Sequence, residues 1–188
     1  ELIRSFKKPL AAPSANKSTS LSSTEAKHVY EYFKKDKNLS IILDDGSAKI
    51  GLESTILHLI NNEIHILRHG GISTEKIKEN FPNKKINDEQ KKYKKIIAPG
   101  MLAKHYSPTV PLRINAKKAK KNELLIGFGP NYDSPNLSSK GDLTEAASNL
   151  FSFLAKYQKN YTKIAIAPIP NIGIGRAIND RIKRASKD

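Results

Sequence analysis

A chain of 188 residues with 38% hydrophobic content can bury one full-sized core or two small ones, and 33 Lys and Arg against 18 Asp and Glu leave it a formal charge of +15. That balance suits a polyanionic partner such as tRNA or a nucleotide, although lysines spread this evenly and without aromatic interleaving also arise as a compositional habit. The lack of cysteine excludes disulfides, a thiolate zinc site and a cysteine nucleophile; with no apolar run of about 18 residues and no signal-peptide pattern, a soluble, cytoplasmic protein is expected, with no membrane partner.

Glu1 to Lys8 reads as the end of an amphipathic helix carrying Leu2, Ile3 and Phe6, an unusual way for a domain to start. Leu10 to Ala12 is expected to be a short strand. The run stops at Pro13, which forces an extended or turning backbone before it, and then presents Ser14 and Asn16. Both side chains bond readily to nearby backbone or to a ligand. Lys17 to Ser23 is a polar loop. Ser22 with Glu25 fits a capping box, and Ala26, Val29, Tyr30 and Phe33 follow at helical spacing, which predicts a helix of about three turns ending in Lys34, Lys35 and Lys37.

Ile41 to Leu43 is expected to be a buried strand closed by the turn Asp44-Asp45-Gly46. Ser54 to Ile60 and Glu63 to Arg68 alternate around Asn61-Asn62, a β-hairpin that delivers Arg68 at a strand end beside Gly70 and Gly71. Ser73 or Thr74 opens a short helix through Asn80. Pro82 to Lys95 is lysine-rich and reads as an exposed linker, whereas Ile96 to Pro108, with His105 and Tyr106 between turn residues, reads as a loop that touches something. Beyond it, strands over Val110–Ile114, Leu124–Phe128 and Lys163–Ala167 alternate with helices over Leu143–Tyr157 and Arg176–Ser186. The first of these helices is opened by a capping box of Asp142 and Glu145, and the order predicts a small α/β layer with a partly parallel sheet.

No residues are spaced as a catalytic triad, a Walker A loop or a metal site. Gly173-Ile174-Gly175 lacks the third glycine of a dinucleotide fingerprint and reads as a helix start. What remains is a set of neutral hydrogen-bonding residues and one arginine: Ser14, Asn16, Ser54, Thr55 and Arg68, with His105 and Tyr106. They suit an anionic or polar ligand, with Arg68 facing a phosphate or carboxylate. No general base stands out, so such a site would act by positioning and charge stabilisation.

In order, P-L-A-A-P-S-A-N, S-S-T-E-A-K-H-V, I-L-D-D-G, G-L-E-S-T-I, I-L-R-H-G-G-I and A-P-G-M-L-A-K-H-Y-S-P, closed by I-A-P-I-P-N-I-G-I-G-R-A-I-N-D-R-I-K-R-A, resemble the threonylcarbamoyl-adenylate synthases: YrdC-like proteins with an extra C-terminal domain. The resemblance covers nearly the whole chain. It implies the C-terminal half of a YrdC-like twisted α/β sheet domain over residues 1–81, a linker over 82–109, and a small Rossmann-like α/β domain over 110–188. It implies synthesis of threonylcarbamoyl-AMP and pyrophosphate from L-threonine, bicarbonate and ATP with Mg2+, without a bound prosthetic group. The product feeds N6-threonylcarbamoylation of adenosine 37 in tRNA, and double-stranded RNA binding goes with the family.

By motif, Ser14 and Ser54 would contact L-threonine, Asn16, Thr24 and Arg68 would contact ATP, and His105 and Tyr106 would lie on the linker that closes over the cavity. His58 stands where the family commonly has aspartate. The family's phosphate-gripping Lys/Arg motif, which precedes P-S-A-N, is not in this sequence, so the expectation is an N-terminally truncated chain, from a fragment, a split gene or a decayed one, with little activity alone and a separately encoded N-terminal half as one candidate partner. The alternative is a non-catalytic nucleotide- or RNA-binding module, or a complementing fragment. Residues 1–80 are expected to be weakly stable alone and 110–188 to fold alone.

Overall fold

A computed structural model describes residues 1–88, 105–133 and 135–187. In chain order these form α1 (Leu2–Phe6), α2 (Ala26–Phe33), β1 (Ile56–Ile60), β2 (Glu63–Arg68), α3 (Thr74–Asn80), β3 (Ile86–Asn87), β4 (Leu112–Arg113), β5 (Leu124–Ile126), α4 (Leu143–Tyr157), β6 (Ile164–Ile166) and α5 (Gly175–Ala185). The architecture is mixed α/β, with two three-stranded sheets ordered β1-β2-β3 and β4-β6-β5. No described helix is long and apolar enough to cross a membrane.

The second sheet is parallel throughout: Ile164 of β6 aligns with Leu112 on one side and Leu124 on the other. Parallel strands require a crossover, and α4 supplies it between β5 and β6. Asp142 starts this helix by accepting the N–H groups of Thr144 (2.7 Å) and Glu145 (2.8 Å). The other half of the expected capping box is replaced: the Asp142 N–H donates to Ser138 Oγ, which itself donates to the Glu145 carboxylate. Helical spacing then places Ala146, Ala147, Leu150, Phe151 and Leu154 on one face, where they meet Ile126, Ile164, Ile166, Ile178 and Ile182 in a core that excludes solvent. Each large aliphatic side chain buried this way contributes about 1.5–3 kcal/mol.

The first half is thinner. Asn61 and Asn62 both take positive φ (46° and 64°), as a two-residue hairpin turn of matching twist requires, and β1 pairs antiparallel with β2. Its own core is Ile64, Ile66 and Ile77 with Ile86 packed against them. β1 is less covered than β2: Leu57 and Leu59 are exposed, as are Leu2, Ile3, Phe6 and Leu10. Two described residues from before residue 110 are buried in the larger core, Leu21 and Tyr106.

Several expectations are corrected. Leu10–Ala12 and Ile41–Leu43 are not strands; Ile41 and Leu43 are 72% and 71% exposed. β-branched composition becomes a strand only where a neighbouring strand pairs with it, and none does so among the described residues. Ser22 does not cap α2, whose first flanking residue is Glu25 and which runs for 8 residues; the Ser22 hydroxyl donates instead to Glu53. Ile86–Asn87, inside the stretch expected to be exposed linker, joins the first sheet through parallel pairing with Ile64 and His65. The A-P-G-M-L-A-K portion of the loop before His105 lies outside the described residues.

Leu150→Ala is expected to cost about 2–5 kcal/mol in urea unfolding followed by circular dichroism, and Leu59→Ala less than about 0.5 kcal/mol. In hydrogen exchange, amides over 41–68 should open well before those of α4 and β6. Uniform strong protection across 41–68 would refute this placement of the core.

Candidate functional site

The hairpin ends where the polar set begins. β2 is buried along its last five residues and carries Arg68 into the interior, where it is 8% exposed. Its guanidinium donates to the Ser54 carbonyl through Nε (3.1 Å) and Nη2 (2.9 Å), and to Ser54 Oγ (3.2 Å). The two segments can lie this close because residue 70 is glycine: a Cβ there would sit 2.3 Å from the Glu53 carbonyl oxygen and 2.4 Å from the Thr55 nitrogen. Thr55 is consumed structurally, its hydroxyl donating to the Ile72 carbonyl (2.6 Å) and accepting the Ile72 N–H (3.1 Å).

Glu53 turns away from Ser54 toward the C-terminal half. Its carboxylate accepts Arg181 Nε at 2.7 Å as well as the Ser22 hydroxyl. Arg181 is fully buried, and it also donates through Nη1 to Asp180 (2.8 Å) and through Nη2 to the His69 carbonyl (2.9 Å). Its guanidinium carbon stands 5.0 Å from the centre of the Tyr106 ring, whose other neighbours are Phe151 at 5.7 Å and His105 at 3.9 Å. Burial alone would raise the Glu53 pKa, but the Arg181 charge and the hydrogen bonds from Ser22 and Arg181 hold it below the usual carboxylate range. Burial works likewise against the charge on Arg181, and Glu53 outweighs it.

His105 follows the same logic. Burial foremost, together with Arg181, Arg184 and Arg68, depresses its pKa despite the opposing charge of Glu53, so the ring is neutral at pH 7. Its Nδ1 is buried with no hydrogen-bond partner among the described residues. Tyr106, 2% exposed, has its phenol pKa raised by burial. The segment is tied to the S-A-N loop by the Ser107 N–H donating to the Thr19 carbonyl (3.0 Å). Asn16 braces that loop through Nδ2 to the carbonyls of Lys17 and Ser20, while its Oδ1 is buried without a partner among the described residues.

The fold thus brings together Ser54, Arg68, His105 and Tyr106, with the Asn16 loop attached beside them. Ser14 is exposed at the start of that loop. Thr24 is buried on the approach to α2; its N–H donates to His28 Nδ1, and its hydroxyl has no partner among the described residues. Sequence reasoning missed Glu53 and Arg181 as an ion pair. The signal was available: Arg181 falls in register with Ala177, Ile178, Ile182 and Ala185, and a charge on the buried stripe of a helix demands a partner.

A second polar cluster was missed as well. His69 Nε2 lies 3.0 Å from Asp88, which also accepts Arg176 Nη1 (2.6 Å) and the Thr74 hydroxyl (3.0 Å), beside a cavity of about 270 Å3. A further cavity of about 420 Å3 lies between α2 and α4, bordered by His28, Tyr32, Lys156 and Lys159, away from Arg68 and His105. No cluster of three or more carboxylate or imidazole groups able to hold a metal occurs among the described residues. Among the described residues the arrangement offers fixed donors, buried acceptors and positive charge, which suits the orientation of an anionic or polar ligand.

Comparison with known proteins gives consistent matches. The family model described as threonylcarbamoyl-AMP synthase, C-terminal domain, matches residues 72–187, and one described as telomere recombination matches residues 1–70. The chain is 32% identical over 209 residues to the threonylcarbamoyl-AMP synthase of Bacillus subtilis, covering 98% of this chain and 59% of that protein. It is 31% identical over 209 residues to that of Pyrococcus abyssi, covering 99% and 60%. The crystal structure of P. abyssi Sua5 complexed with L-threonine superposes with a TM-score of 0.82 at 29% identity, over 98% of this chain and 60% of that one. The chain therefore spans about three-fifths of the length of these relatives.

Because the folded-state pKa of Glu53 is depressed, its stabilisation is fully present above the ordinary glutamate value of 4.5 and is lost as pH falls through the lower folded value. Glu53→Gln is expected to lower stability at neutral pH by about 3–5 kcal/mol, since it leaves Arg181 buried without its anion. It should also shrink the loss of stability between neutral pH and about pH 3. Urea titrations at both pH values check this, and an unchanged acid limb in the variant would contradict the pairing.

Proposed function

The chain belongs to the threonylcarbamoyl-AMP synthase family, and from that premise we propose that it serves the reaction of L-threonine, bicarbonate and ATP to threonylcarbamoyl-AMP and pyrophosphate. The product would feed N6-threonylcarbamoylation of adenosine 37 in tRNA, in the cytoplasm. The observation that carries this reading is the convergence of Arg68, Ser54 and His105 at one place that has buried acceptors. Such a site suits nucleotidyl transfer assisted by positioning.

In this reading Ser14 and Ser54 take L-threonine. Asn16, Thr24 and Arg68 take ATP, which arrives with Mg2+ as its own substrate complex, and Arg68 keeps Ser54 in place while its charge faces the phosphates. His105 and Tyr106 close the cavity. The domain limits we propose are 1–81 for the YrdC-like part, 82–109 for the linker and 110–188 for the Rossmann-like part. The relatives' greater length and the exposed Ile41, Leu43, Leu57 and Leu59 support completion of the site by a YrdC-like N-terminal half, in the same polypeptide or encoded separately. Those side chains also favour a second reading, a complementing fragment that holds nucleotide or RNA without catalysis by itself.

Pyrophosphate release with ATP, L-threonine and bicarbonate is expected when the N-terminal half is supplied and to be weak without it. Arg68→Ala should reduce kcat/KM by about a hundredfold or more, as loss of a charged donor from such a site does. Equal release by the chain alone would rule out complementation. Tight nucleotide or tRNA binding with no release in either case would favour the binding reading.

A further inference from the structure

We propose that Arg181, which belongs to none of the substrate-binding assignments above, is a positioning residue through which helix α5 sets the geometry of the candidate cavity. The inference rests on the reading of that cavity as a substrate site. Three of its contacts reach outside α5, and each lands on the immediate chain neighbour of a residue in the site. Glu53 adjoins Ser54, His69 adjoins Arg68, and Tyr106 adjoins His105. A guanidinium that served only to pin α5 would have no reason to select those three neighbours. Its planar fork can hold a carboxylate, a carbonyl and a ring face at fixed mutual angles, which a lysine ammonium cannot.

The base of the lever is rigid. Arg181 projects from the helix stripe formed by Ala177, Ile178, Ile182 and Ala185, all buried in the larger core. The far end is held against its own preference: Tyr106 has φ 62°, a left-handed conformation that an aromatic residue keeps only where its surroundings over-determine it. Those surroundings are the Arg181 face on one side and Phe151 on the other. The outcome of the held backbone is the placement of His105, whose buried Nδ1 has no partner among the described residues. The charged groups acting on that ring are Glu53, Arg181, Arg184 and Arg68.

The test compares the wild-type chain with Arg181→Met and Arg181→Lys by hydrogen exchange, by NMR titration of the His105 ring and by L-threonine calorimetry. In Arg181→Met, amides at 54–55, 69–71 and 106–107 should exchange about tenfold faster or more, while those of α4 and β6 keep their protection. The His105 ring should titrate at higher pH, because a cation is removed and Glu53 remains. Arg181→Lys should restore the titration and only part of the slow exchange. L-Threonine affinity should fall about tenfold in Arg181→Met. Unchanged exchange at the three segments, or an equal rise across α4 and β6, would overturn the proposal and leave Arg181 a structural prop. Should Arg181→Met fail to fold, Arg181→Lys carries the same comparison. If the wild-type chain binds no L-threonine even with the N-terminal half supplied, the substrate reading fails, while exchange and titration still decide the role of Arg181.

Discussion

A guanidinium with no exposed surface joins the two halves of this chain. Arg181 and Glu53 meet at 2.7 Å between a helix of the C-terminal half and the loop that opens the hairpin, 128 residues apart in sequence. Removing both charges from water is expensive, and the pair repays that expense only because the remaining valences are filled: Ser22 on the carboxylate, Asp180 and the His69 carbonyl on the guanidinium, and the Tyr106 ring across its face. A pair of this kind adds little net stability. What it adds is register, because any other arrangement of the halves would leave a buried charge unmatched.

The rest of the site follows from that register. Glu53 is drawn toward α5, so the next residue, Ser54, faces back toward the end of β2, where Arg68 holds it. Two glycines allow the approach: Gly70 lets the hairpin exit lie on the Glu53–Thr55 backbone, and Gly51, with φ 70°, lets the same loop rest on α4, where a Cβ would meet the Ala147 carbonyl at 2.6 Å. Tyr106, in turn, is a core residue of the C-terminal half that carries a polar neighbour, His105, to the cavity wall. Polar residues that are distant in sequence thus become one wall through apolar packing behind them.

The two halves differ in how they are held. The C-terminal sheet is covered by α4 and α5 and excludes water from its core. The first half relies on a small cluster about Ile64 and Ile66 and shows solvent a set of large apolar side chains. This contrast explains where reading the chain by itself succeeded. Local signals carried every element whose partners are near in sequence: the Asn61-Asn62 hairpin, the Ser73 cap of α3, the Asp142 cap and apolar stripe of α4, and the helix start at Gly175. They failed at Leu10–Ala12 and Ile41–Leu43, where β-forming residues have no described strand beside them, and at Ser22, whose hydroxyl found a buried carboxylate in preference to a helix terminus.

The sequence by itself determined the family resemblance, the hairpin and the helices from α3 onward, and it nominated Ser14, Asn16, Ser54, Thr55, Arg68, His105 and Tyr106 as a polar set, because motifs and periodicity are local and survive without coordinates. Only the tertiary structure decided which of them meet. It spent Thr55 on the Ile72 backbone, locked Arg68 to Ser54, buried Tyr106 against Arg181, and revealed the Glu53–Arg181 and Asp88–Arg176 pairs. The physical reason is that a buried charge chooses its partner by distance after folding, and distance after folding is set by the packing of a core to which no single stretch of sequence belongs.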